Sequence, residues 1–279
     1  FVSIIIRLRM SESPMFSKLK KEGKTSTNPL KESFGNKYNF KMVLLALFGA
    51  TCGQGVVWYT GQFYAQLFLL NTCKVDAVQV NTYLGYALLL GTGGFVLFGW
   101  LSDKIGRKII MMAGMALAIL FTKPLFQSMY DQAALKAKVA KGLEQVDKRE
   151  TKFSVSLPAG KTDSVAVSDT TRHFADGSKY TKKVETIMYA ADKKPAGYAP
   201  KVTEVMKLTP GNLSSIMWSI VILVLFVTMV YGPIAAFLVE LFPTRIRYSS
   251  MSLPYHIGNG VFRGLVPFIG TLIASYVPS

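Results

Sequence analysis

Three polar residues share one face of an apolar stretch: His256, Asn259 and Arg263, spaced i, i+3 and i+7. A guanidinium can hold a carboxylate through two parallel hydrogen bonds. A second row is Gln54, Trp58, Gln62 and Gln66 at i, i+4 spacing, flanked by Tyr59 and Tyr64. Amides and phenols bind a carboxylate or a polyol without adding charge. They also serve as hydrogen-bond glue between helices, and the spacing leaves both roles open. His256 either titrates near neutral pH and moves a proton, or stays neutral and hydrogen-bonded. No nucleophile sits beside a base, so the expectation is no bond-making chemistry. Two cysteines, Cys52 and Cys73, and two histidines, His173 and His256, are too few for a metal centre or a disulfide scaffold. Neither a metal nor a cofactor is expected.

The elements that must carry these groups are greasy. Hydrophobic residues make up 50% of the 279 and charged residues 17%, below the roughly 25% of soluble domains. A bilayer core takes about 20 apolar residues as a helix. Residues 42–70, 80–101, 109–130 and 214–241 meet that length. A fifth stretch, 249–277, is more polar and rich in Gly and Pro. Arg263 lies deep in it, where a charge is expected to pair or to line water. None of the five stretches holds a deep acidic residue, so its partner is either an anionic solute or a group outside them.

The net charge is +16. Its placement argues for membrane loops over nucleic acid, because stacking aromatics are sparse among the basic residues of 7–41. Lys and Arg crowd 7–41, 102–108 and 242–248, whereas 71–78 holds Lys74 alone. The positive-inside bias puts the crowded segments in the cytoplasm. Residues 131–213 then fall outside by parity. This insertion is expected to start as a helix over 132–150 and to continue as a hairpin of 153–157 and 164–167 around Pro158-Ala-Gly160. It is either a small α+β cap or a solvated spacer, with His173 on its surface. The chain opens at Phe1 inside an apolar run and closes just after another, which reads as a piece of a longer protein.

The loop between the second and third stretches reads Gly99-Trp-Leu-Ser-Asp103-Lys-Ile-Gly106-Arg107-Lys108. Gly99 and Gly106 permit close helix approach and a tight turn, Asp103 is suited to cap the following helix, and Arg107 and Lys108 are cations at the membrane face. A second cluster is Glu240-Leu-Phe-Pro-Thr-Arg245-Ile-Arg247. Together these resemble the signature elements of the major facilitator superfamily. With Glu12-Ser13-Pro14 and GQGVVWYTGQFY at 53–64, the resemblance narrows to its metabolite:H⁺ symporter branch, transporters of α-ketoglutarate, shikimate, citrate and proline/betaine.

The resemblance implies an all-α membrane fold: the C-terminal bundle, helices 7 to 11, with a small periplasmic α+β or irregular insertion. Residues 1–41 would end helix 6 and form a cytoplasmic linker, 42–130 would be helices 7 to 9, 131–213 the insertion, and 214–279 helices 10 and 11. Asp103, Arg107, Glu240 and Arg247 would form a charge network that holds one conformation and breaks in another. The implied partners are a small metabolite, protons, the lipid bilayer and an absent N-terminal half, in a bacterial inner membrane. Gln54, Tyr59, Gln62, Asn259 and Arg263 would bind an organic acid, with His256 the proton-coupling candidate. The compact members have a small residue where Arg263 stands. The alternatives are a transporter-like receptor that uses its external insertion, and a symporter of a zwitterionic osmolyte.

Overall fold

A computed structural model describes residue 4 and residues 14–156, 164–188 and 199–276. The helix end expected at 1–6, Glu12-Ser13 and the turn at 158–160 lie outside the described residues. Elements run in chain order: α1 Pro14–Lys21, α2 Pro29–Gly35, α3 Lys37–Thr72, α4 Ala77–Ile105, α5 Arg107–Ala133, α6 Leu135–Ala140, strands β1 Glu144–Ser156, β2 Ser164–Phe174, β3 Lys179–Met188 and β4 Lys201–Lys207, then α7 Pro210–Leu241. A last helix, α8, comprises Arg247–Ile257, a π turn Gly258–Phe262, and Arg263–Tyr276. Helices α3, α4, α5 and α7 are long and apolar enough to cross a membrane. The more polar fifth stretch forms helix α8 and is not among those four.

Local chemistry sets the boundaries. Asn28 caps α2 by accepting from the Lys31 amide at 3.1 Å, ahead of Pro29. Asn36 caps α3, and the Asp76 carboxylate takes the Val78 and Gln79 amides at the start of α4. The break between α4 and α5 is one residue, Gly106, at φ +109°, where a side chain would be strained. Because α4 runs on to Ile105, Asp103 lies inside a helix, four residues before Arg107. It does not cap α5, contrary to the expectation.

Contacts divide the chain into two compact units. One takes residues 1–60, 94–116 and 226–279. Its buried core is Val43, Ala46, Ala50, Met111, Ile234, Leu238 and Phe242. Glycines let helices of this unit pass closely: a Cβ on Gly114 would lie 2.7 Å from Met229 Cβ, and one on Gly232 would lie 3.4 Å from the Phe95 carbonyl. Gly99 itself faces open space. The close approach expected there is instead made by Gly232 of α7 against the α4 backbone.

The other unit takes 61–93 and 117–225. Gly91 packs on Val224, Phe68 and Tyr64 on Phe126, and Gln66 donates to Asn81 at 2.7 Å. The insertion is an antiparallel meander of order β1-β2-β3-β4. The expected hairpin forms, with Ser154 opposite Val167, but its strands are longer than the sequence suggests. The helix expected over 132–150 is overturned: α5 ends at Ala133, α6 is short, and 144–150 joins the sheet. Cross-strand pairing overrides the helix-forming composition of that segment. The spacer reading fails with it. Met206 of β4 exchanges backbone hydrogen bonds with Lys74 and Asp76 in the α3–α4 loop. Lys138, 1% exposed, donates to Asp176, which also accepts from Ser178 and from Asn212 of α7. Burial raises the Asp176 pKa, but these donors outweigh it and hold the carboxyl at about 2.

Candidate functional site

Two groups of sequence-selected residues lie in the first unit. One is ionic. Arg107 bridges Glu240 at 2.7 Å and Asp103 at 3.1 Å. Both carboxylates are more than half exposed, while the guanidinium is three-quarters covered. The fourth expected member is absent from the network. Arg247 turns its Nε to the Phe242 carbonyl at 3.2 Å, a group freed because Pro243 ends α7. Arg245 is also diverted, pairing with Glu32 of α2. Lys108 is exposed and has no ion pair among the described residues.

The second group surrounds a crossing of α3 and α8. The Thr51 hydroxyl donates to the Pro254 carbonyl at 3.0 Å. A Cβ on Gly258 would fall 2.3 Å from Thr51 Oγ1, and one on Gly55 would meet the Gly258 carbonyl at 3.3 Å and Arg263 Cβ at 3.7 Å. Only glycine allows backbones this close. Beside the crossing, the Arg263 guanidinium lies over the Trp58 ring at 5.0 Å. One Nη donates to Asn259 at 3.0 Å. Its Nε is buried with no hydrogen-bond partner among the described residues. Trp58 in turn contacts Tyr231, 4.5 Å between centroids, and Tyr231 contacts Phe95 and the Tyr255 hydroxyl.

Gln54 is 1% exposed, and among the described residues neither its amide oxygen nor its nitrogen has a partner. Such a group costs about 1–3 kcal/mol unless a ligand or water satisfies it. Tyr59 is half-buried in the same unit. His256 is exposed, its ring edge against Tyr255. Gln62, half-buried, belongs to the other unit. Among the described residues no cluster of His, Cys, Asp or Glu has the makings of a metal site. Sequence reasoning missed Tyr231, Tyr255 and the Ser33–Ser250 hydroxyl contact at 2.8 Å. The phenol of Tyr231 inside the apolar run of α7 was the available signal.

The Major Facilitator Superfamily model matches residues 1–134, which hold the Gly99–Lys108 loop and both halves of the Gln54–Gln62 row. The Escherichia coli (strain K12) alpha-ketoglutarate permease is 34% identical over 100 residues, 36% of this chain and 22% of its own. A Haemophilus influenzae protein named "Putative metabolite transport protein" is 45% identical over 62 residues, 22% of this chain and 14% of its own. The E. coli protein "Putative transporter YdfJ" is 26% identical over 136 residues, 47% of this chain and 30% of its own. The chain thus spans under a third of the length of these relatives. No solved structure matches it. With four apolar helices of spanning length, the chain is a multi-pass membrane protein, and the relatives it matches bear the names of transporters. Glu240 and the α8 residues lie beyond the matched span, so their roles rest on the geometry above.

Proposed function

We propose that this chain is part of a proton-coupled symporter of the bacterial inner membrane, carrying a small organic acid by alternating access. The observation that carries this reading is Arg263: a partly buried guanidinium, pinned by Asn259 and Trp58, with an unpartnered Nε. Among the described residues no carboxylate pairs with it. A carboxylate solute would supply that charge with two hydrogen bonds, and the Gln54 amide would offer one donor and one acceptor beside it. Tyr59 and Gln62 would orient the solute and His256 would carry the proton. The missing half of the cavity would come from an N-terminal half of the longer protein. The insertion would lie in the periplasm, and the Asp103–Arg107–Glu240 network on the cytoplasmic side would part as the cavity changes face.

The aromatic group of Trp58, Tyr231 and Phe95 could instead suit a zwitterion's quaternary ammonium. That reading is weaker, because the guanidinium already covers the Trp58 face. The test is a thermal-shift screen of the full-length purified protein against carboxylates and betaine-like zwitterions at two pH values, alongside proton-dependent uptake. Carboxylates should raise the melting temperature, and Arg263→Gln should abolish the shift. A shift with zwitterions alone would overturn the anion assignment.

A further inference from the structure

Lys108 is a signature-loop cation that the ion network leaves out, as it does Lys104. It follows Arg107 by one residue, so it is turned about 100° around α5. It is exposed and pairs with no carboxylate among the described residues. It lines a groove of about 350 Å³ formed by α3, α5 and α7 within one compact unit. Behind Lys108 the walls are apolar and rich in sulfur: Met42, Gly49, Met111, Met112 and Met115. From Lys108 to Met115 is seven residues of helix, a run of about 10 Å. Methionine walls adapt to a flexible apolar chain. Trp100, exposed and covered by Lys104 Nζ at 4.0 Å, stands at the same end of α4, as interfacial anchors do.

We propose that this groove is a binding site for an anionic phospholipid, with one acyl chain along the methionines and the headgroup phosphate on Lys108. A methionine-walled groove whose lining includes a cation with no carboxylate partner among the described residues matches an amphiphile that carries one negative charge above an apolar tail. A solvated phosphate would leave the groove empty, and a zwitterionic lipid would add its own cation beside Lys108. The site is separate from the Arg263 cluster, and its occupancy does not depend on what that cluster carries.

The test is native mass spectrometry of the detergent-purified chain with equimolar phosphatidylglycerol and phosphatidylcholine of matched acyl chains. The wild type should retain phosphatidylglycerol over phosphatidylcholine by about fivefold, the effect of one interfacial lysine. Lys108→Gln should remove the preference and Lys108→Arg should keep it, which separates charge from misfolding. Gly49→Leu should lower retention of both lipids, since a Cβ at this position meets nothing within 4 Å and the side chain would enter the groove. An unchanged preference in Lys108→Gln, equal retention by the wild type, or full retention by Gly49→Leu would each overturn the proposal. So would finding, in the longer protein, that a further helix cross-links into the groove.

Discussion

The Lys138–Asp176 pair should act as the post that holds the insertion to the helices. Asp176 accepts from Lys138, from the Ser178 amide at 3.0 Å and hydroxyl at 2.6 Å, and from Asn212 at 2.8 Å. Its carboxyl sits at about 2 against an ordinary 3.8. At about 1.4 kcal/mol per tenfold change in proton affinity, ionised Asp176 contributes about 2 kcal/mol to the local structure. Asp176→Asn also leaves the Lys138 ammonium buried without its counter-charge, which raises the cost toward about 4 kcal/mol.

Hydrogen exchange at neutral pH reads this directly. The Phe174 and Gly177 amides close the β2–β3 turn, and a loss of about 2–4 kcal/mol would speed their exchange by at least about 30-fold in Asp176→Asn. Lys138→Met should cost less, since Asp176 keeps its other donors, and the double variant Lys138→Met with Asp176→Asn should recover most of the loss. The pH dependence has a fixed sign. A depressed folded pKa gives stability that is complete above about pH 4 and lost as pH falls toward 2. Pepsin nicking at 174–178 should therefore rise across that window in the wild type and stay flat in the double variant. Exchange within threefold of wild type in Asp176→Asn would refute the argument.

Glu240→Gln should cost under about 1 kcal/mol of stability, because its carboxylate is exposed, yet lower uptake by the full-length protein by tenfold or more; uptake unchanged would reduce the Arg107 bridge to decoration. Gln54→Leu should raise the melting temperature by removing two orphaned polar atoms, worth about 1 kcal/mol or more, while weakening carboxylate-induced shifts; a lower melting temperature would mean that the amide is satisfied in place. Gly258→Ala should destabilise by about 2 kcal/mol through its clash with Thr51, measurable by thermal melting, and Thr51→Gly in the same chain should return part of the loss.

What the sequence made legible was whatever depends on neighbours along the chain. The spanning helices follow from uninterrupted apolar runs, and the α4–α5 turn from Gly106. The Arg107 bridge to Glu240 was legible only through a resemblance, since residues 107 and 240 lie far apart. Arg247 shows the limit. Its spacing matches the family element, but Pro243 exposes the Phe242 carbonyl within reach, and the nearer acceptor wins. Glu144–Glu150 misled because its composition favours helix, while β2 supplied the partner that decides for strand. β3 and β4 carry charges on nearly every turn of the pleat, so no apolar alternation announced them. The row Gln54–Gln66 was read as one face. Instead Gln54 is buried without partners, Gln66 binds Asn81, and Trp58 is the floor under a guanidinium.

The position of that guanidinium depends on a local irregularity of α8. In regular α-helix, five residues from Gly258 to Arg263 turn the backbone about 500°, leaving Arg263 roughly 140° away from the face that Gly258 presents to Thr51. The π turn over Gly258–Phe262 winds more slowly, at roughly 4.4 residues per turn, and brings the two to within about 50°. Gly258 can then touch α3 while Arg263 lies over Trp58 of the same helix. A guanidinium turned away from the crossing would have reached solvent or lipid, at a cost no nearby acid could offset. The wide turn, the glycine that tolerates close approach and the Arg that departs from the compact pattern are therefore one adaptation. Any attempt to regularise α8 would dismantle the Arg263 cluster without removing a single one of its side chains.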